Sequence, residues 1–158
     1  MERLWSPWRM EYIGADKEEG CIFCQALQEK ADERNLILHR GKTCFIMLNR
    51  YPYNNGHLMI VPYDHVGSLE DLPQETLTEL MHMINKGTAL LRKAMHPHGF
   101  NIGINLGKSA GAGIVDHVHI HIVPRWDGDT NFMAVTAGTR VIPELLEDTY
   151  RKLKECMA

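Results

Sequence analysis

His117, His119 and His121 alternate with the apolar residues Val118 and Ile120. Side chains at successive positions of a β-strand point to opposite faces. The three imidazoles should therefore share one face, about 6.5–7 Å apart along the strand, while the apolar residues enter the core. A neutral imidazole nitrogen can attack phosphorus and form a covalent intermediate. Its neighbours can donate hydrogen bonds to the phosphoryl oxygens or a proton to the leaving group, so the run predicts an attacking histidine with two helpers.

The residues alone leave two other interpretations of this run open. An H-x-H pair on a strand is often a metal site, and three histidines can also form an exposed polar face without a role. The loop that precedes them favours a phosphate site. Lys108 and Ser109 offer side-chain donors, and Gly111 and Gly113 let the backbone approach a ligand and turn N–H groups towards an anion.

Cys21 and Cys24 form a C-x-x-C motif, which has the spacing of half a tetrahedral zinc site. His65 and His117 are candidates for the other two ligands. Four protein ligands would leave no open position on the metal, so such a zinc would be structural. The alternative is a buried or reducible cysteine pair that binds no metal.

Charge and hydropathy exclude several classes of protein. The 158 residues carry a formal net charge of −3, with no run of lysine and arginine. Because duplex-binding surfaces need a basic excess, we expect a nucleotide substrate and no nucleic-acid partner. No apolar stretch is long enough to cross a membrane, and the first twenty residues lack an apolar signal segment. The predicted location is cytoplasmic.

The pattern of elements predicts an α+β fold. A long helix should begin near Leu72 and Pro73, with Asp71 as its cap and Pro97 ending it. Gly87 inside this helix should mark a close approach to the sheet. A single domain, 1–158, is expected, with an N-terminal arm at 1–20 and a C-terminal extension at 126–158. Strands are predicted at 36–39, 43–48, 57–61, 100–106 and 115–123, and the final helix at 143–155. The predicted apolar face of the long helix comprises Leu77, Leu80, Met81, Ile84, Leu91 and Met95.

The H-x-H-x-H run with apolar spacers resembles the histidine-triad (HIT) superfamily of nucleotide hydrolases and transferases. Residues 45–52 and 56–62 are similar to the nucleoside-binding hairpin of that family. Residues 4–13 and 124–133 resemble its prokaryotic branch near diadenosine polyphosphate hydrolases and phosphorylases. The likeness implies a five-stranded antiparallel sheet with one long helix and a C-terminal helix, paired with a second copy in a homodimer. Some prokaryotic members also resemble the cysteine and histidine arrangement of the predicted zinc site.

The resemblance also implies a role for each matching residue. His119 would attack the α-phosphorus of a dinucleoside polyphosphate, such as diadenosine tetraphosphate, or of a related adenylyl compound. His121 would contact the phosphate and assist the leaving group, and His57 would support the triad. Asn49 would bind the ribose hydroxyls, and Asn105 would contact the phosphate chain.

One segment departs from the family pattern. Many relatives place Gln-Ser or Gln-Thr shortly before the triad, where this chain has A-G-I at 112–114. Lys108, Ser109 or backbone N–H groups would have to hold the phosphates instead. This leaves open whether water or inorganic phosphate accepts the nucleotide. It also leaves open a catalytically weak nucleotide-binding regulatory protein.

Overall fold

The computed structural model describes residues 20–130, Thr136 and residues 141–158. Residues 1–19 of the predicted N-terminal arm lie outside this part of the chain, as do residues 131–135 and 137–140. The helices are α1 (Ile22–Gln28), α2 (Gln74–Met95) and α3 (Leu146–Met157), with short 3-10 turns at Leu69–Asp71 and Lys108–Ala110. The strands are β1 (Ile37–Arg40), β2 (Cys44–Leu48), β3 (Leu58–Pro62), β4 (Gly99–Ile104) and β5 (Ile120–Arg125).

The five strands form one antiparallel sheet in the order β1-β2-β3-β5-β4. β5 lies inside the sheet, where Met59 of β3 and Gly103 of β4 both pair with His121. The predicted α+β class, the five-stranded sheet, the long helix and the C-terminal helix are confirmed. No helix among the described residues is both long and apolar enough to cross a membrane.

Each face of the sheet has its own hydrophobic cluster, because neighbouring residues of a strand point to opposite faces. Ile46 and Leu48 of β2 join the cluster under α2 and α3, whereas Phe45 and Met47 join the cluster under α1. Val118, Ile120 and Ile122 belong to the α2 side. The histidines between them are therefore directed to the α1 side, as the alternation predicts.

Two expectations for α2 are wrong. Asp71 does not cap α2, because it lies in the preceding 3-10 turn, and Pro73 occupies the position just before the first helical residue. Met81 is 60% exposed, because it lies about 100° around the helix from Leu80, beyond the buried stripe. Gly87 does mark a close approach, since a Cβ there would lie 3.2 Å from Cδ1 of Ile122.

The strand that carries the triad also differs from its predicted bounds of 115–123. The ladder of β5 starts only at Ile120 and continues through Pro124 to Arg125. Pro124 is tolerated because β3 pairs with β5 only as far as Ile122, so the missing N–H of the proline deprives no strand of a partner. On that side the carbonyl of Pro124 instead accepts a hydrogen bond from Nδ2 of Asn54, at 3.1 Å.

Candidate active site

The three triad rings lie side by side on the α1 face of the sheet, and all are buried. His121 belongs to β5, and His117 and His119 belong to the extended segment before it. The ring centroids of His119 and His121 are 4.8 Å apart at an interplanar angle of 74°. This is closer than the spacing expected along the strand, because the rings lean towards each other.

One hydrogen bond fixes the free nitrogen of His119. Its Nδ1 lies 3.0 Å from the carbonyl oxygen of His117, which can only accept, so Nδ1 carries the proton and donates. A neutral imidazole has one protonated nitrogen, and Nε2 of His119 therefore holds a lone pair. This is the nitrogen with which a histidine would attack phosphorus.

A chain of hydrogen bonds fixes the opposite assignment in His121. The backbone N–H of Tyr53 donates to Nδ1 of His57 at 3.1 Å, so Nε2 of His57 carries the proton. That Nε2 lies 2.9 Å from Nδ1 of His121 and donates to it. The remaining proton of His121 is therefore on Nε2. Among the buried side-chain nitrogen and oxygen atoms of the described residues, this Nε2 is the one without a hydrogen-bond partner.

Burial keeps the histidines of this site neutral. Removal from water, and then the neighbouring His121 and His119, lower the pKa of His57 to about 3. Removal from water, followed by the neighbouring His119, lowers the pKa of His121 to about 4. Burial also lowers the pKa of His119, against the opposing hydrogen bond to His117. At neutral pH the site thus presents one nitrogen lone pair next to one buried N–H donor.

The predicted nucleotide-binding residues surround the triad unevenly. Asn105 directly follows Ile104, the last residue of β4, which pairs with Ile120, the first residue of β5 after His119. Asn49 accepts the backbone N–H of Tyr51 with its Oδ1 at 2.8 Å, so its amide NH2 is the group that would reach a ribose hydroxyl.

The glycine-rich loop uses part of its backbone for its own turns. The N–H of Gly111 donates to the carbonyl of Lys108 at 3.0 Å, and φ of Gly111 is +89°, a value that favours glycine. The side chains of Lys108 and Ser109 are exposed in the 3-10 turn. These two side chains and Gly113 are the parts of the loop that remain candidates for holding phosphate.

The four predicted metal ligands come together beside the triad. The ligand atoms of Cys21, Cys24, His65 and His117 lie within 4.8 Å of one another. Nδ1 of His117 is 3.2 Å from Sγ of Cys21 and 3.7 Å from Sγ of Cys24, and Nδ1 of His65 is 3.4 Å from Sγ of Cys24. Sulfur and nitrogen ligands of a tetrahedral zinc lie about 3.5 Å apart, given bonds of about 2.3 and 2.0 Å. The donor set and its spacing therefore fit zinc.

His117 has two further contacts that suit a metal ligand. Its Nε2 lies 2.9 Å from the carbonyl oxygen of Pro62 and donates to it, so the lone pair is on Nδ1, the nitrogen that faces the cysteines. Its own carbonyl accepts the Nδ1 proton of His119. One residue thus joins the cluster of candidate metal ligands to His119.

Two aromatic residues at the site were not predicted from the sequence. Phe23 contacts the rings of His117 and His119, with centroid distances of 5.2 and 5.1 Å. Tyr53 lies over His57 at 4.6 Å, in addition to its backbone hydrogen bond. The position of Phe23 between two candidate metal ligands is a signal that could have identified it. The sequence carries no comparable signal for Tyr53.

The HIT domain family matches residues 30–128, which include the triad, His57 and His65. The chain belongs to the HIT family. A similar HIT protein is the AP-4-A phosphorylase of Mycobacterium tuberculosis, which is 44% identical over 161 aligned residues that cover 97% of this chain and 83% of the relative. The adenosine 5'-monophosphoramidase of Saccharomyces cerevisiae is 34% identical, over 72% of this chain and 67% of its own length. Among solved structures, a zinc-bound histidine triad family protein from Mycobacterium smegmatis has a TM-score of 0.71 at 28% identity, covering 87% of this chain and 93% of the other.

Proposed function

We propose that this HIT protein cleaves a dinucleoside polyphosphate at an α-phosphate and transfers the nucleotide, through His119, to inorganic phosphate. The observation that carries the proposal is the set of hydrogen bonds from which complementary protonation of two adjacent buried rings follows. Nε2 of His119 has a lone pair because Nδ1 donates to a carbonyl. Nε2 of His121 has a proton and no partner among the described residues, because His57 donates to its other nitrogen.

In the first step the lone pair on Nε2 of His119 forms a bond to the α-phosphorus. The bond from that phosphorus to the bridging oxygen breaks, and its electron pair leaves with the departing nucleotide. The N–H of His121 donates to an oxygen on the phosphate, where negative charge builds up. The His119 ring becomes cationic, and its Nδ1 proton remains bonded to the His117 carbonyl.

In the second step an oxygen of inorganic phosphate attacks the same phosphorus, and the bond to Nε2 of His119 breaks. The ring recovers its lone pair, and the product is a nucleoside diphosphate. We favour phosphate over water as the acceptor in this proposal, since a relative that is 44% identical is an AP-4-A phosphorylase. Lys108 and Ser109, exposed in the glycine-rich loop, are the candidate donors to the acceptor phosphate.

The proposal is tested with diadenosine tetraphosphate, in the presence and absence of inorganic phosphate. Phosphorolysis yields ADP and ATP, whereas hydrolysis yields AMP and ATP. His119→Ala should abolish turnover and leave the fold and nucleotide binding nearly intact, whereas His82→Ala, on the exposed face of α2, should retain full activity. Full activity of His119→Ala would show that another group attacks. Tight AMP binding without turnover of any nucleoside phosphate would favour the regulatory alternative.

A second candidate reaction is hydrolysis of a phosphoramidate bond to AMP. The adenosine 5'-monophosphoramidase relative at 34% identity favours it. In the first step Nε2 of His119 would bond to the phosphorus while the P–N bond breaks, and the amine would leave with that electron pair and a proton from solvent. Water would then attack the phosphorus, break the bond to Nε2 and release AMP. Release of AMP from adenosine 5'-phosphoramidate, unchanged by added phosphate and faster than turnover of diadenosine tetraphosphate, would select this reaction.

We also propose that Cys21, Cys24, His65 and His117 bind zinc, and that the metal is structural. The four ligand atoms lie within 4.8 Å of one another, and a zinc-bound relative shares the fold. Bound zinc would supply a cross-link between α1, the segment after β3 and the segment before β5. A cytoplasmic location stays a prediction.

A homodimer is proposed from the free edge of the sheet. Among the described strands β4 pairs only with β5, and its outer edge carries Ile102, which is 47% exposed. Sedimentation should give the mass of two chains for the wild type and of one chain for Ile102→Glu. Met81→Glu, at an exposed position of α2, should stay dimeric. A monomeric wild type would contradict this proposal.

A further inference from the structure

Phe23 lies between Cys21 and Cys24, and its side chain is fully buried. Its ring contacts the rings of both His119 and His117, at 5.1 and 5.2 Å between centroids. Phe23 has no polar or ionisable atom, so it cannot attack phosphorus or transfer a proton. Its contacts with the two imidazole rings can act on the chemistry through the position of those rings.

The attacking ring needs such a support. A single hydrogen bond, from Nδ1 to the His117 carbonyl, determines which nitrogen of His119 is free. This hydrogen bond and the ring of His121, whose centroid is 4.8 Å away, restrain one side of the imidazole, and remaining rotation about the Cβ–Cγ bond of His119 moves Nε2 away from the line of attack. A ring at van der Waals contact restricts this rotation, and displacements of about 1 Å in a reacting atom can cost about 100-fold in rate.

We propose that Phe23 is a positioning residue that holds the ring of His119 in its attacking orientation. The proposal rests on the proposed role of His119 as the nucleophile. Phe23 is itself fixed from two directions: its neighbours Cys21 and Cys24 belong to the metal-ligand cluster, and its ring packs in the α1-side cluster with Phe45. The C-x-x-C segment thus acts on His119 through Phe23, while His117 acts on it through its carbonyl.

Phe45 supplies a matched control. It is also fully buried in the α1-side cluster, but its ring stacks on Tyr63 at 6.0 Å. Phe23→Leu and Phe45→Leu remove the same atoms from the same cluster. A purely structural role of Phe23 predicts the same outcome for the two variants, apart from their stability.

The test measures kcat, KM and the thermal midpoint of both variants with diadenosine tetraphosphate and phosphate. It also measures the 15N signals of the His119 ring in the free protein, which are identified from their absence in His119→Gln. In Phe23→Leu we expect kcat to fall about 10- to 100-fold with KM changed less than about twofold, and the His119 signals to shift or broaden. In Phe45→Leu we expect kcat and the His119 signals to stay near the wild-type values.

An unchanged kcat or unchanged His119 signals in Phe23→Leu overturn the proposal, and so does an equal loss of kcat in Phe45→Leu. If Phe23→Leu does not fold, Phe23→Met, whose unbranched side chain is longer and more adaptable than that of leucine, replaces it with the same expectations. The 15N signals need no substrate. A failure of the proposed reaction, seen as activity in His119→Ala, is therefore distinguishable from a failure of Phe23 to hold the ring.

Discussion

His57 determines which nitrogen of His121 carries the proton. If His57 did not donate to Nδ1 of His121, that nitrogen could carry the proton itself, and Nε2 would become an acceptor. An acceptor at Nε2 would repel the phosphate oxygens that the proposed reaction brings there. The buried Nε2–H of His121 is thus a consequence of His57, the residue just before β3, and of the backbone N–H of Tyr53 in the preceding turn.

His57→Leu should therefore lower kcat more than it raises KM. We expect kcat to fall about 100-fold, because the hydrogen bond to the phosphate is lost while the nucleoside contacts remain. Steady-state kinetics with diadenosine tetraphosphate measure both constants, and the 15N signals of His121 report its protonated nitrogen. His82→Leu, at an exposed position of α2, should change neither. A fall in kcat with the proton still on Nε2 of His121 would rule out this explanation.

For single residues, the sequence predicts which side chains form the candidate site better than it predicts which side chains contact each other there. Strand alternation places the triad rings on one face, and the C-x-x-C spacing with two histidines anticipates the metal-ligand cluster. The contact between His57 and His121 spans 64 positions and follows from the β3–β5 register, which no local pattern encodes. The contact of Phe23 with His119 depends in the same way on how α1 packs on the sheet.

At the scale of elements, the cluster of candidate metal ligands joins three segments that are far apart in the sequence. Cys21 immediately precedes α1, and Cys24 lies in its first turn. His65 follows β3, and His117 precedes β5. The carbonyl of His117 orients His119, so loss of the cluster should loosen the segment that carries these two histidines as well as α1. Metal content and local stability should therefore change together.

Cys21→Ser should lose zinc, because the remaining three ligands hold the metal more weakly. We expect metal analysis to give about one zinc per chain for the wild type and His119→Ala, and much less for Cys21→Ser. Hydrogen exchange should show faster opening of α1 and of the segment around His117. Cys156→Ser, in α3 and away from the cluster, should keep its zinc. Zinc loss in His119→Ala instead would mean that the triad itself binds the metal.

The elements themselves differ in how readily the sequence predicts them. The long helix is evident from its apolar spacing, and the glycine at its centre correctly indicates the contact with Ile122. The start of this helix is not evident from the sequence, because Asp71 is a residue type that often caps helices but here lies in a separate 3-10 turn. The bounds of β5 depend on where β3 stops pairing. Because β3 pairs only as far as Ile122, no β3 carbonyl requires an N–H from Pro124, and the strand can continue through the proline. Element type is thus local information, whereas the ends of elements depend on their neighbours.

For the whole molecule, burying neutral histidines ties stability to pH. The pKa of His57 is lowered to about 3 and that of His121 to about 4, against about 6.5 in the unfolded chain. Between these limits the unfolded state binds more protons than the folded state, so the free energy of unfolding falls as the pH falls. The folded arrangement of these rings is therefore most stable near neutral pH and loses stability progressively in acid.

Each such histidine should reduce the free energy of unfolding by about 1.4 kcal/mol for each pH unit below about 6.5. Urea unfolding at about pH 7, 6 and 5 measures this slope. In His57→Leu the slope of the unfolding free energy against pH should correspond to about one fewer bound proton, because position 57 no longer binds a proton in the unfolded state. His82→Leu, which removes a histidine exposed in the folded chain, should keep the wild-type slope. A slope unchanged by His57→Leu would show that His57 is not held neutral, and the proton assignment of His121 that depends on it would fail too.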